Sequence, residues 1–257
     1  MHDMPLDPTP DTLSFYVVYM SHHIEPRSVD SYLSGICNQL EPYFPNVRVA
    51  RKSDLVSRTL KGCKRLRSKP IHRKLPLSRQ QISGMIQSLD AEPSYDDLLW
   101  ASMLATGFFG LLRLAEMCTS DSSVKRNPRK YCRRLSVKLL HNQYEFTLRT
   151  HKADKFFEGN QVIVNNADAL SLFRRYLTNR DTLFPLNPFL WLQADGSVPT
   201  RSWFITKLRA HIPDNNFAGQ SLRAGGATAL AEDGASLSIY IRKHPTLLHT
   251  ILRNTHS

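Results

Sequence analysis

Apolar residues recur at helical spacing through most of this chain and at alternate positions in one short region. Leu13, Tyr16, Val17 and Met20 share one face of a helix over 12–22. With Ser28 as its cap, a second helix carries Val29, Tyr32, Leu33, Ile36 and Leu40 on one face and stops near Pro42 and Pro45. A third runs over 53–66, with Leu55, Val56, Leu60 and Cys63 inward. Residues 78–89 form the next, burying Ile82, Met85, Ile86 and Leu89, and 96–117 is the most apolar stretch, broken at Gly107 and Gly110. The period then changes. Residues 134–140 and 143–150 read as a strand pair turning at His141-Asn142, and 161–164 as a third strand. Helices return over 167–179 and 202–211, over 218–232 (rich in Gly and Ala), and over 237–252, where Pro245 interrupts. There is no βαβ alternation and no internal repeat. The pattern predicts a mainly α protein: a small helical domain over 1–67, a linker over 68–76, and an α-rich domain over 77–257 with a small antiparallel sheet.

Charge narrows the class of partner. Lys and Arg total 34 against 22 Asp and Glu, a net charge of +12 and a pI near 9.7. Such a chain is attracted to polyanions, nucleic acid first among them. Arg51, Lys52, Arg58, Lys61, Lys64, Arg65, Arg67, Lys69, Arg73, Lys74 and Arg79 stand against one local acid, Asp54. A solvated helix face would mix signs, so this stretch reads as phosphate-contacting, with Arg51 through Lys69 as candidate DNA contacts. A second basic run, Lys125 to Arg134, reads as a loop. An anionic membrane is the rival partner, but no basic amphipathic helix has an aromatic apolar face. Neither an apolar run of membrane-spanning length nor a secretory layout at the N-terminus is present, so the expected location is intracellular, and nuclear in a eukaryote. Cys37, Cys63, Cys118 and Cys132 lack metal-ligand spacing and read as buried reduced thiols.

Breaking a DNA phosphodiester without a metal needs a nucleophile, cations on the non-bridging oxygens and an acid for the leaving 5′ oxygen. Arg suits the second task, since its guanidinium stays charged and forks onto two oxygens. Lys can serve as the acid, and Tyr as a nucleophile that conserves the bond energy in a phosphotyrosine. Arg113, Arg223, Lys152 (with Lys155 second) and Tyr240 are the candidates. Taken singly, each has a plain structural reading. Arg113 is an Arg at the end of an apolar helix, Arg223 a surface Arg, Lys152 a solvated hairpin Lys, and Tyr240 an aromatic packed against Leu237 and Leu247.

Taken in order, these residues resemble the tyrosine recombinase and integrase family, most closely the recombinases of eukaryotic mobile elements. The segment Gln220-Ser221-Leu222-Arg223-Ala224-Gly225-Gly226-Ala227-Thr228 matches that branch's H-S-L-R-A-G-G-A-T at every position but the first. Arg113 with Glu116 matches the first catalytic Arg, Lys152 the hairpin Lys, and Tyr240-Ile241-Arg242-Lys243-His244-Pro245 the nucleophile's setting. The resemblance implies a helical (SAM-like) DNA-clamping domain followed by a catalytic domain. It also implies a double-stranded DNA substrate, a 3′-phosphotyrosyl intermediate, no metal or cofactor, and a tetramer on DNA. Tyr240 would attack, Arg113 and Arg223 would brace the phosphate beside Gln220, and Lys152 would donate the proton.

Two departures bear on turnover. The family's His is Gln220, which donates a hydrogen bond but moves no proton near neutrality. Only sixteen residues separate Arg223 from Tyr240, and nothing between Gly234 and Tyr240 resembles the family's second His/Trp motif. A helix from Arg223 to Asp233 carries the chain about 15 Å away. Six further residues return at most about 20 Å, and only if extended. A non-catalytic DNA-binding remnant of such a recombinase is therefore the alternative.

Overall fold

The computed structural model describes residues 7–70, 72–148 and 160–234. The chain divides into two compact units, residues 1–72 and 73–257.

The first unit holds four helices: α1 (Pro10–His23), α2 (Pro26–Leu40), α3 (Val47–Lys52) and α4 (Asp54–Arg67). Thr9 caps α1 by accepting from the Thr12 amide at 3.2 Å, and Ser53 caps α4 by accepting from Val56 at 3.4 Å. Helix α2 starts at Pro26, ahead of the expected Ser28 cap, because a proline in the first turn needs no partner for a missing N–H. Leu13, Val17, Val29, Leu33 and Val56 form the core. Two residues expected inward are instead half exposed, Tyr32 and Leu55. The buried row of α2 runs Pro26, Val29, Leu33, Cys37, which turns Tyr32 to the flank. In α4 only Val56 is fully buried, and Leu55 stands about 100° around the helix from it. The six-residue α3 has no apolar period long enough to announce it.

In the second unit, α5 (Arg79–Gln87), α6 (Tyr95–Phe109) and the short α7 (Leu114–Met117) precede a three-stranded antiparallel sheet. Its strands are β1 (Lys138–Leu139), β2 (Tyr144–Leu148) and β3 (Asn160–Val164), in that order, with Tyr144 opposite Val164 and Leu148 opposite Asn160. Helices α8 (Ala167–Leu183), α9 (Arg201–His211) and α10 (Gly219–Glu232) follow. Helix α6 is buried on all sides from Leu98 to Phe108 and forms the spine of this core. Along β2, Tyr144, Phe146 and Leu148 point inward, and the Tyr144 ring stacks on Phe173 with centroids 4.0 Å apart. The first expected strand shrinks to two residues. Arg134 leaves the ladder to grip Asp181 at 2.6–3.0 Å, and Thr147 N–H is satisfied by the Ser136 hydroxyl instead of a backbone carbonyl. Arg180, almost fully buried, donates to Asp181 and to the carbonyls of Phe184, Asn187 and Phe189, which fixes the loop after α8. The helix expected over 237–252 lies outside the described residues. Among the described residues no helix is long and apolar enough to cross a membrane.

Candidate phosphate-binding site

The turn from α6 to α7 presents Arg113. Helix α6 ends at Gly110, Leu111 is left-handed at φ 54°, and two bonds close the end: Leu111 N–H to Phe108 O at 3.3 Å and Leu112 N–H to Gly107 O at 2.9 Å. This is the Schellman arrangement, whose left-handed position favours glycine. A leucine holds it here with its side chain buried, so packing offsets the backbone strain. Arg113 then caps α7. Its N–H donates to Glu116 Oε2 at 2.7 Å and its guanidinium to Oε1 at 3.1 Å. Glu116, with 12% of its side chain exposed, thus ties down both the helix start and the 46%-exposed Arg113 side chain.

Three glycines bring α10 against this turn. A Cβ on Gly219 would stand 2.7 Å from the Leu114 side chain. One on Gly225 would stand 1.9 Å from the Leu77 carbonyl oxygen, and one on Gly226 2.0 Å from that of Phe108. Any side chain there would push α10 off α6 and off the segment at Leu77, whose N–H donates to Ser221 O at 3.1 Å. The small residues of this helix are what allow its first turn to rest on α7. Arg223 consequently lies within electrostatic reach of Arg113 and Glu116. Its pKa is pushed below the ordinary arginine value, first by burial and then by the Arg113 charge, with Glu116 acting the other way. None of the ion pairs among the described residues includes Arg223. Gln220 is exposed on the first turn of α10, three residues before Arg223 and on the same side. Two guanidinium groups near one carboxylate, of which only Arg113 is paired with it, make with a helix N-terminus a site of net positive charge that favours an anion.

The other expected participants stand differently. Lys152, Lys155 and Tyr240 lie outside the described residues. Helix α10 continues from Arg223 to Glu232, and Gly234 ends it in the left-handed conformation at φ 65°. Arg79 grips Asp233 and donates to Ala229 O at 3.3 Å, fixing the far end of α10. Arg79 therefore has a structural task within the second unit. Lys74 is likewise occupied by Asn215 O at 2.6 Å. In the first unit, Arg51 and Lys64 both bind Asp30, each at 3.0 Å. That stretch is therefore not single-signed in space, because its second acid comes from α2, where no local spacing points to it. Lys52, Arg58, Lys61, Arg65, Arg67 and Lys69 remain exposed. So do all residues from Asp121 to Lys130, including Lys125, Arg126, Arg129 and Lys130 of the second basic run.

No family model matches the sequence, and no curated protein matches it. Solved structures do. The XerH site-specific recombinase in its post-cleavage complex with palindromic difH substrate superposes with a TM-score of 0.61 at 14% identity, over 91% of this chain and 65% of that one. The fold is that of the tyrosine recombinases. The Tn1549 transposon integrase in complex with circular intermediate DNA gives 0.57 at 15% identity, over 91% of this chain and 76% of that one. A lambda integrase dimer bound to a COC′ core site gives 0.54 at 12%, over 94% and 77%. The present chain thus spans just under two thirds of the XerH chain.

Proposed function

We propose that this chain binds double-stranded DNA and breaks and rejoins its strands as a recombinase of the mobile-element type, serving DNA integration and recombination. The observation that carries this reading is the convergence of Arg113 and Arg223, 110 positions apart in sequence (223 − 113), around Glu116. The recombinase-like fold supports it. In this reading the scissile phosphate sits between the two guanidinium groups, with Gln220 donating to a non-bridging oxygen. Tyr240 Oη attacks phosphorus as its phenolic proton passes to water, the P–O5′ bond breaks, and Lys152 protonates the departing 5′ oxygen, leaving a 3′-phosphotyrosine. A 5′-hydroxyl then reverses the step and frees the tyrosine. No cofactor enters, and tetramers on paired duplexes are the working form.

A suicide substrate, nicked so that the 5′ fragment diffuses away, tests this. The wild type should accumulate a covalent protein–DNA adduct, Tyr240→Phe none, and Arg223→Ala far less. A second reading is a DNA-binding protein that keeps the phosphate site without the chemistry. It is favoured by the neutral Gln220 and by an α10 that leads about 15 Å away from Arg223. DNA binding with no adduct from any variant would establish that second reading.

A further inference from the structure

One end of the three-stranded sheet opens into a pocket of about 570 Å³. Its walls are the β1–β2 turn at His141 and Asn142, Asn165 ahead of α8, and Ser171, Arg174 and Arg175 on that helix. Ala167 and Leu170 supply its apolar surface. Pockets that take small molecules span on the order of 300–1,000 Å³. Among the described residues no acid lines this one, and Asp168, beside Ala167 in sequence, is exposed outside it.

Helix geometry aims both arginines at this pocket. The Cα–Cβ bonds of an α-helix tilt toward its N-terminus, so Arg174 and Arg175 reach back over the early turns of α8. Arg174 braces the opposite wall, one of its nitrogens donating to the carbonyls of Leu140 and His141 at 2.8 and 3.4 Å. Arg175 has neither an ion pair nor a hydrogen bond among the described residues. Ser171 differs from the other hydroxyls of α8. Thr178 and Thr182 each donate to the carbonyl four residues back, at 3.0 and 2.9 Å, whereas Ser171 donates to no group among the described residues. The Ala167 and Asp168 N–H groups, at the positive end of the helix, also have no partner among the described residues. His141, Asn142 and Asn165 add side chains whose hydrogen-bonding capacity is likewise unfilled there.

We infer that this pocket binds a free nucleoside phosphate. Arg175, the remaining nitrogens of Arg174, the Ser171 hydroxyl and the start of α8 hold the phosphate, since a guanidinium forks onto two of its oxygens. The His141 ring offers a face on which a base stacks, and the Asn142 and Asn165 amides pair with the base edge. A phosphate ion alone would satisfy the cations and leave most of the 570 Å³ to water. The pocket shares no residue with the site at Arg113 and Arg223. It opens at the Asn142 end of β2, and that strand runs about 14 Å to Leu148 before the segment that carries Lys152. The inference therefore stands whether or not the chain cuts DNA.

The test is calorimetric titration of the full chain with AMP, adenosine and inorganic phosphate, with and without saturating duplex DNA. AMP should bind roughly tenfold more tightly than adenosine or phosphate alone, and duplex should leave that affinity unchanged. Arg175→Gln should lose roughly tenfold in AMP affinity and Ser171→Ala several-fold. Both residues are exposed, so both variants should keep the melting temperature of the wild type. Arg209→Gln removes an exposed arginine of α9 outside the pocket and should bind AMP as the wild type does. Absence of AMP binding at millimolar concentration overturns the inference, as does undiminished binding by Arg175→Gln. Equal affinity for AMP and phosphate also overturns it, since the pocket would then recognise an anion only. An equal loss in Arg209→Gln overturns it as diffuse attraction to the net charge of +12. Displacement of AMP by duplex overturns it by making the pocket part of a DNA-binding surface.

Discussion

Arg113 and Arg223 carry like charges into one site, and among the described residues Glu116 answers them. An arrangement that repels itself when empty is stabilised by the anion it holds, as expected where charge must be stabilised during reaction. Gln220 limits that chemistry, since an amide donates but does not titrate. Gln220→His should therefore raise the rate of adduct formation and give it a pH dependence near 6.5, with little change in DNA affinity, measured on the suicide substrate. Gln220 and Arg223 stand out in the sequence because α10 keeps their motif in consecutive positions, whereas the placement of Arg223 near Arg113 shows only in space. Asp30 was not legible, because its partners Arg51 and Lys64 come from distant positions. Its carboxyl titrates below the usual range, chiefly through the Lys64 hydrogen bond and further through Arg51, against the effect of burial. A depressed folded value stabilises above the unfolded pKa and is lost as pH falls through the folded one. The first unit should lose stability on acidification below about pH 4. Asp30→Asn should remove that part of the pH dependence. The effect should be under about 1 kcal/mol, because the pair is partly solvated. Melting temperatures at pH 7 and in acid would check it.

At the scale of elements, α10 and the α6–α7 turn do the positioning. The Gly225-Gly226 pair reads in sequence as helix-weakening, yet in space it lets two backbones meet. Gly225→Ala would place a methyl 1.9 Å from the Leu77 carbonyl oxygen. A loss of about 1–3 kcal/mol or more is expected on overpacking. Phosphate binding should fall with it, measured by chemical denaturation beside a DNA titration. Helix existence was legible throughout the second unit as far as α10, since caps such as Ser78 and Thr200 sit where the apolar period begins. The strand before His141 was misjudged, because side chains there, Arg134 and Ser136, took over tasks that alternation alone does not show.

The whole chain pairs a thin core with a thick one. Among the described residues, the core cluster of the first unit gathers five buried apolar residues, whereas the second gathers rows of them around α6. Net burial sets stability, so the first unit should unfold first. All three tryptophans, Trp100, Trp191 and Trp203, lie in the second unit. Helical circular dichroism should accordingly begin to fall at lower denaturant than tryptophan fluorescence, and coincident curves would contradict the ordering. The net charge of +12 was the plainest signal in the sequence, and its placement was the least legible. Acids from other elements neutralise Arg51, Lys64 and Arg79 and leave a narrower exposed set. The central claim is that Arg113 and Arg223 hold a DNA phosphate. It is tested most directly by titrating duplex DNA against wild type and Arg223→Ala across a range of salt. The account predicts weaker binding of every duplex and a salt slope lower by about 1 for the variant. Equal affinity and equal slope, with the variant folded, would contradict it.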